Sequence, residues 1–105
     1  MSTSGGKITD ALLAQLAEKK KLYARLKADQ EEQLAFIEDL KNKVDVITQD
    51  ALASSASSAR KTRGLSDAKS IGQVIESEEA KLEALDRRMQ EIQGEIRGFE
   101  ELLKG

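Results

Sequence analysis

An all-α fold is predicted: an elongated helical hairpin or coiled coil of two long helices, over about residues 9–59 and 66–104. Apolar residues recur at alternating steps of three and four along most of the chain, the signature of a helical seam. Pro is absent and charged residues make up 34%, most of them good helix formers. Aromatic residues are 3% of the 105 and Trp is missing. That shortage of bulky side chains suits a narrow seam between helices better than a broad core. Disorder is disfavoured, because a net charge of −2 and a clear apolar period are the opposite of weak hydrophobicity with large net charge.

Residues 1–8 read as a flexible polar tail rich in Ser, Thr and Gly, after which Thr9 or Asp10 offers a cap for the first helix. From Leu12 a heptad frame runs without a slip. Its a positions are Leu16, Tyr23, Gln30, Ile37, Val44, Ala51 and Ser58, and its d positions Leu12, Lys19, Leu26, Gln33, Leu40, Ile47 and Ser54. The seam is strongest where β-branched Ile37 and Val44 alternate with Leu40 and Ile47. Leu13, Leu22, Leu34 and Phe36 fall at e or g and widen the stripe into a second apolar face, with room for a third or fourth helix. Gln30 and Gln33 have two readings: tolerated residues at partly exposed positions, or polar residues that fix register and partner choice.

The frame decays in the Ala/Ser run from Ala51 to Ala59, whose small side chains bury little area; helix and loop both remain open for residues 51–63. Arg60-Lys61-Thr62-Arg63 follows, then Gly64, a residue type that often ends helices, and Ser66 or Asp67 could cap the next helix. The chain reversal is therefore placed in a basic turn at 60–66. Arg60, Lys61 and Arg63 read as cations solvating the C-terminus of the first helix, or as a basic contact for a phosphate or an acidic partner.

The second helix, 67–105, has a cleaner frame: a at Ala68, Ile75, Leu82, Met89, Ile96 and Leu103, d at Ile71, Glu78, Leu85, Ile92 and Phe99. Val74 and Leu102 add apolar area at g. Gly94 and Gly98 fall at f and c, as costly surface glycines or as a close-packed contact with another helix; Gly105 ends the helix. The expected helix-partner interface is Leu26, Ile37, Leu40, Val44, Ile47, Ile75, Leu82, Leu85, Met89, Ile92, Ile96 and Phe99. Pairing direction stays open, because β-branched a residues with Leu at d favour parallel dimers while Gly64 favours folding back.

The absence of Cys and His removes disulfides, thiolate nucleophiles, the usual zinc sites and imidazole acid–base catalysis. No cofactor and no small-molecule substrate are expected. Carboxylates such as Glu76, Glu78 and Glu79 sit on a solvated helix without a pocket to tune them, so the chain is not expected to be an enzyme. Neither a signal peptide nor a membrane span is expected, which makes a reducing, cytoplasmic compartment the default. With 17 basic and 19 acidic residues, and with Lys19-Lys20-Lys21 and Arg60–Arg63 lacking interleaved aromatics, nucleic acid is not an expected partner. Protein helices are, whether from a second copy or from other subunits.

The expected function is a structural or interaction subunit that assembles through its helices into a cytoplasmic, cytoskeletal or trafficking complex. The alternative is a small chaperone-like or adaptor module that captures a client through Leu13, Leu22, Leu34 and Phe36. In the spacing of Ile75, Leu82, Leu85, Met89, Ile92, Ile96, Phe99 and Leu103, residues 71–103 resemble one SNARE motif, which implies a helix donor. Glu78 stands where that motif would place its central Gln or Arg. Chain length and hairpin form also resemble the small secreted helical hairpins with a Trp-x-Gly turn, but that turn is absent here and Arg63-Gly64-Leu65 is not a substitute for it.

Overall fold

A computed structural model describes residues 3–104, which form two α-helices: α1, Thr3–Ala51, and α2, Ser58–Lys104. The fold is all-α and a helical hairpin; no strand occurs among the described residues. Helices of 49 and 47 residues gain most of their stability from burying a face, and here each face is the heptad seam read from sequence. The packing divides into two units, one from Glu31 to Glu83 and one joining α1 up to Gln30 with α2 from Ala84.

The first unit contains the chain reversal. Ile37, Leu40 and Ile75 are its buried centre, with Val44, Ile71 and Leu82 packed around them. Towards the reversal the seam narrows to Ala51, which is fully buried. Gly64 of α2 meets it there: a Cβ at residue 64 would stand 2.8 Å from the Ala51 Cβ and 3.6 Å from the Ile47 carbonyl oxygen. The absence of a side chain at 64 is what lets the helices approach so closely. In the second unit, Leu16, Met89 and Ile92 are buried, and Ile92 is completely inaccessible. Leu12, Tyr23, Leu26, Leu85, Ile96, Phe99 and Leu103 line the same seam half-buried.

The reversal occupies residues 52–57. The Leu52 amide still donates to the Thr48 carbonyl at 2.9 Å in the α-helical pattern, and the Ala53 amide tightens to the Asp50 carbonyl at 3.3 Å. Ala56 N–H closes a turn onto the Ala53 carbonyl at 3.0 Å. Ser57 then caps α2, its Oγ accepting from the Arg60 amide at 3.2 Å while its carbonyl accepts from Lys61 at 3.0 Å.

These boundaries correct the sequence reading in two places. First, α1 begins at Thr3, so residues 3–8 of the expected tail are helical. Extending a nucleated helix adds one hydrogen bond per ordered residue, and that offsets glycines costing about 1 kcal/mol each. Residues 1 and 2 of that tail, and Gly105 as a helix end, lie outside the described residues. Second, the chain turns at 52–57 rather than at 60–66. Arg60, Lys61, Arg63 and Gly64 lie in the opening turns of α2, and Ser66 and Asp67 lie inside it; no described glycine has a positive φ. The physical reason is that Ser favours caps over helix interiors, while Gly64 is selected by close packing and not by backbone conformation. The seam consequently stops at Ala51 on α1, leaving Ser54 and Ser58 exposed, and starts on α2 one step early, at Gly64.

Candidate helix-binding interface

Every residue of the expected partner interface lies in the seam. Ile37, Leu40, Ile75, Met89 and Ile92 are buried there. Leu26, Val44, Ile47, Leu82, Leu85, Ile96 and Phe99 are half-buried. In each unit the seam is occupied by the chain's own second helix, so the pairing direction left open by the sequence is antiparallel within the hairpin.

The polar seam positions find partners across the helices. Gln33 donates through Nε2 to the Glu78 carboxylate and, at 3.4 Å, to the Glu78 carbonyl. Gln30 donates to the Asp86 carboxylate. Lys19 Nζ meets Glu95 Oε2 at 2.7 Å. A partly buried amide or carboxylate without a partner is costly, so the Gln33 and Gln30 pairs favour one alignment of the helices over its neighbours, whereas Lys19–Glu95 is a more exposed ion pair of smaller worth. Gln30 and Gln33 are partly exposed, as in the first of their two readings, and partnered across the helices, as the setting of register requires.

Glu78 is held below the ordinary carboxylate range mainly by the Gln33 hydrogen bond, aided by Lys81 at 3.0 Å. Glu95 is lowered by its hydrogen bond from Lys19. A carboxylate whose pKa is lower folded than unfolded contributes stability that is complete above the unfolded value and lost as pH falls through the folded one. Thermal melts taken on acidification from the ordinary glutamate pKa downwards should therefore show a falling midpoint. Gln33→Leu with Lys19→Met should flatten that dependence; an unchanged acid slope would contradict the assignment.

The basic residues keep a different company from the one expected. Arg60 binds the Asp50 carboxylate through two nitrogens, with Nε to Oδ2 at 3.1 Å. Arg60, Lys61 and Arg63 stand at the N-terminal, positive end of a helix dipole, where cations are disfavoured, and Asp50 offsets this for Arg60. The sequence reading, with these cations at a helix C-terminus, had the dipole reversed. Because both partners are about half exposed, the pair is a surface ion pair of small net worth.

The bond joins the g flanks of the two helices. Asp50 and Arg60 are both g residues, and the same flank of the seam carries the g residues Phe36 and Val74. Both are exposed, at 45%. Leu34, at e on the opposite flank, and Leu13 are exposed as well, while Leu22 is half-buried. The four residues expected to form a second apolar face thus divide between two flanks. Val46 is also exposed, beside an open depression of about 480 Å³ lined by Asp39, Asn42, Lys43 and Ile47. Sequence reasoning did not single out Val46, Leu52 or Leu65 as exposed apolar residues.

No described helix is long and apolar enough to cross a membrane. Comparison with known proteins returns no matching family model, no matching curated protein and no matching solved structure. The fold and seam define the class, an antiparallel helical hairpin of the coiled-coil type.

Proposed function

We propose that the chain is a non-enzymatic interaction subunit, a helical hairpin that assembles with helices of other subunits in a cytoplasmic, cytoskeletal or trafficking complex. One observation carries this reading: the seam is satisfied within the chain, yet Leu34, Phe36 and Val74 remain exposed beside it. Apolar residues at e and g serve a hairpin poorly as solvent-facing positions and well as a platform for a further helix. The test is native mass with and without Leu34→Glu and Phe36→Glu. Both variants should keep full helicity while losing the higher-mass assembly formed with partners; assemblies surviving both changes would refute the reading.

The second reading, an adaptor that captures a client while the hairpin stays shut, draws support from the exposure of Leu13, Leu34 and Phe36. It differs in leaving the purified chain a stable monomer, with hydrogen exchange slowing around those side chains only when a client is added.

A further inference from the structure

The reversal at 52–57 lacks the residues that normally enforce one. Leu52-Ala53-Ser54-Ser55-Ala56-Ser57 contains neither Gly nor Pro, and no described residue has a positive φ. Three of its amides keep helix-type bonds, i→i−4 for Leu52 and i→i−3 for Ala53 and Ala56. Ala and Leu favour helix, and Ser opposes it only weakly. The heptad phase, though not the buried seam, also crosses the turn almost unbroken. Ala51, Ser54, Ser57, Lys61, Gly64 and Ala68 follow at steps of three, three, four, three and four, a single three-residue irregularity of the kind continuous coiled coils absorb.

From this geometry we infer that the hairpin can open at residues 52–57 into one continuous helix and exchange halves with a second copy of the same chain. In the exchanged pair, α1 of each copy lies along α2 of the other. Every seam contact is then remade between chains: Gln33 with Glu78, Lys19 with Glu95, Asp50 with Arg60, and Ala51 against Gly64. The partner needs no new surface, because it presents the one that the closed hairpin already satisfies. What holds the monomer shut is mass action, since the tethered second helix competes at an effective concentration of about millimolar. The Ser57 cap adds to this by marking α2 as a separate helix. The inference stands apart from the proposed assembly with other subunits, which uses the e and g flanks.

The experiment uses the absence of Cys from the chain. Lys19→Cys and Glu95→Cys chains are prepared separately, co-refolded at about millimolar concentration and treated with a short bismaleimide. A chain carrying both changes, crosslinked at low concentration, confirms that the linker spans the pair. Exchange predicts a covalent heterodimer joined through 19 and 95 in large excess over 19–19 and 95–95 dimers, whereas random collision of closed hairpins gives no such preference. Ser54→Ala, Ser55→Ala and Ser57→Ala together should raise the dimer association constant by at least about tenfold, since they favour continuous helix, and glycines at the same positions should abolish it. Folded, helical chains giving no such heterodimer would overturn the inference. Dimer mass without the 19–95 crosslink would also overturn it while leaving flank-mediated assembly intact.

Discussion

Ile92→Asp is expected to unfold the unit formed by α1 up to Gln30 and α2 from Ala84. Ile92 is the largest completely buried side chain among the described residues. Its removal forfeits about 1.5–3 kcal/mol of apolar burial, and a carboxylate in its place must either ionise without a partner or take up a proton. The combined loss, roughly 4 kcal/mol or more, is comparable with the whole stability of a small domain. Far-UV circular dichroism should show a large loss of helix at neutral pH, partly recovered in acid as the new carboxyl protonates. Ile92→Val, which removes one methylene, should cost only about 1 kcal/mol and keep the fold. Native helicity in the Asp variant would mean that this layer does not hold the unit together.

The next largest effect is expected at a glycine. Gly64→Leu places a branched side chain where even a Cβ lies 2.8 Å from Ala51, so the helices must part or the seam must shift. Overpacking of this kind costs about 1–3 kcal/mol, outweighing the roughly 1 kcal/mol that helix propensity returns. Chemical denaturation should show a net loss, and Gly64→Ala should show a smaller one that Ala51→Gly relieves. Gly94 and Gly98 supply the contrast, because a Cβ at either meets nothing within 4 Å. Gly94→Ala and Gly98→Ala should each stabilise the isolated chain by up to about 1 kcal/mol. If they also weaken assembly, those glycines are a close-packed contact with another helix; unchanged assembly would leave them plain surface positions.

Much of the seam was legible from residue spacing alone. Each a and d residue from Leu12 to Ala51, and from Ala68 to Leu103, is buried or half-buried. Periodicity reports the face of a helix directly, whatever covers it. The reversal was harder to read, because Gly64 carries two meanings that sequence cannot separate: a left-handed helix end, or a contact too close for a side chain. Misplacing it moved Arg60, Lys61 and Arg63 from the start of one helix to the end of another. The cross-helix partners were hidden for a related reason. That Gln33 meets Glu78 follows only once the position of the turn sets which residues stand opposite, so an error in the turn propagates to every pair. The flank residues, and their division between e and g sides, were visible as heptad positions, but which of them stay exposed needed the packed structure.

The polar pairs have a consequence for how precisely two such plain helices can recognise each other. Leu and Ile layers repeat every heptad and are nearly interchangeable, so an apolar seam by itself would tolerate a slide of seven residues at small cost. Sliding the helices one way would bring Gln33 to Leu85 and Glu78 to Leu40; sliding them the other way would bring Gln33 to Ile71 and Glu78 to Leu26. Either slide leaves an amide and a carboxylate facing hydrocarbon. The pairing of Gln33 with Glu78 and of Gln30 with Asp86 therefore works like the cuts of a key. A repetitive surface thereby gains one alignment in which its polar seam residues are partnered.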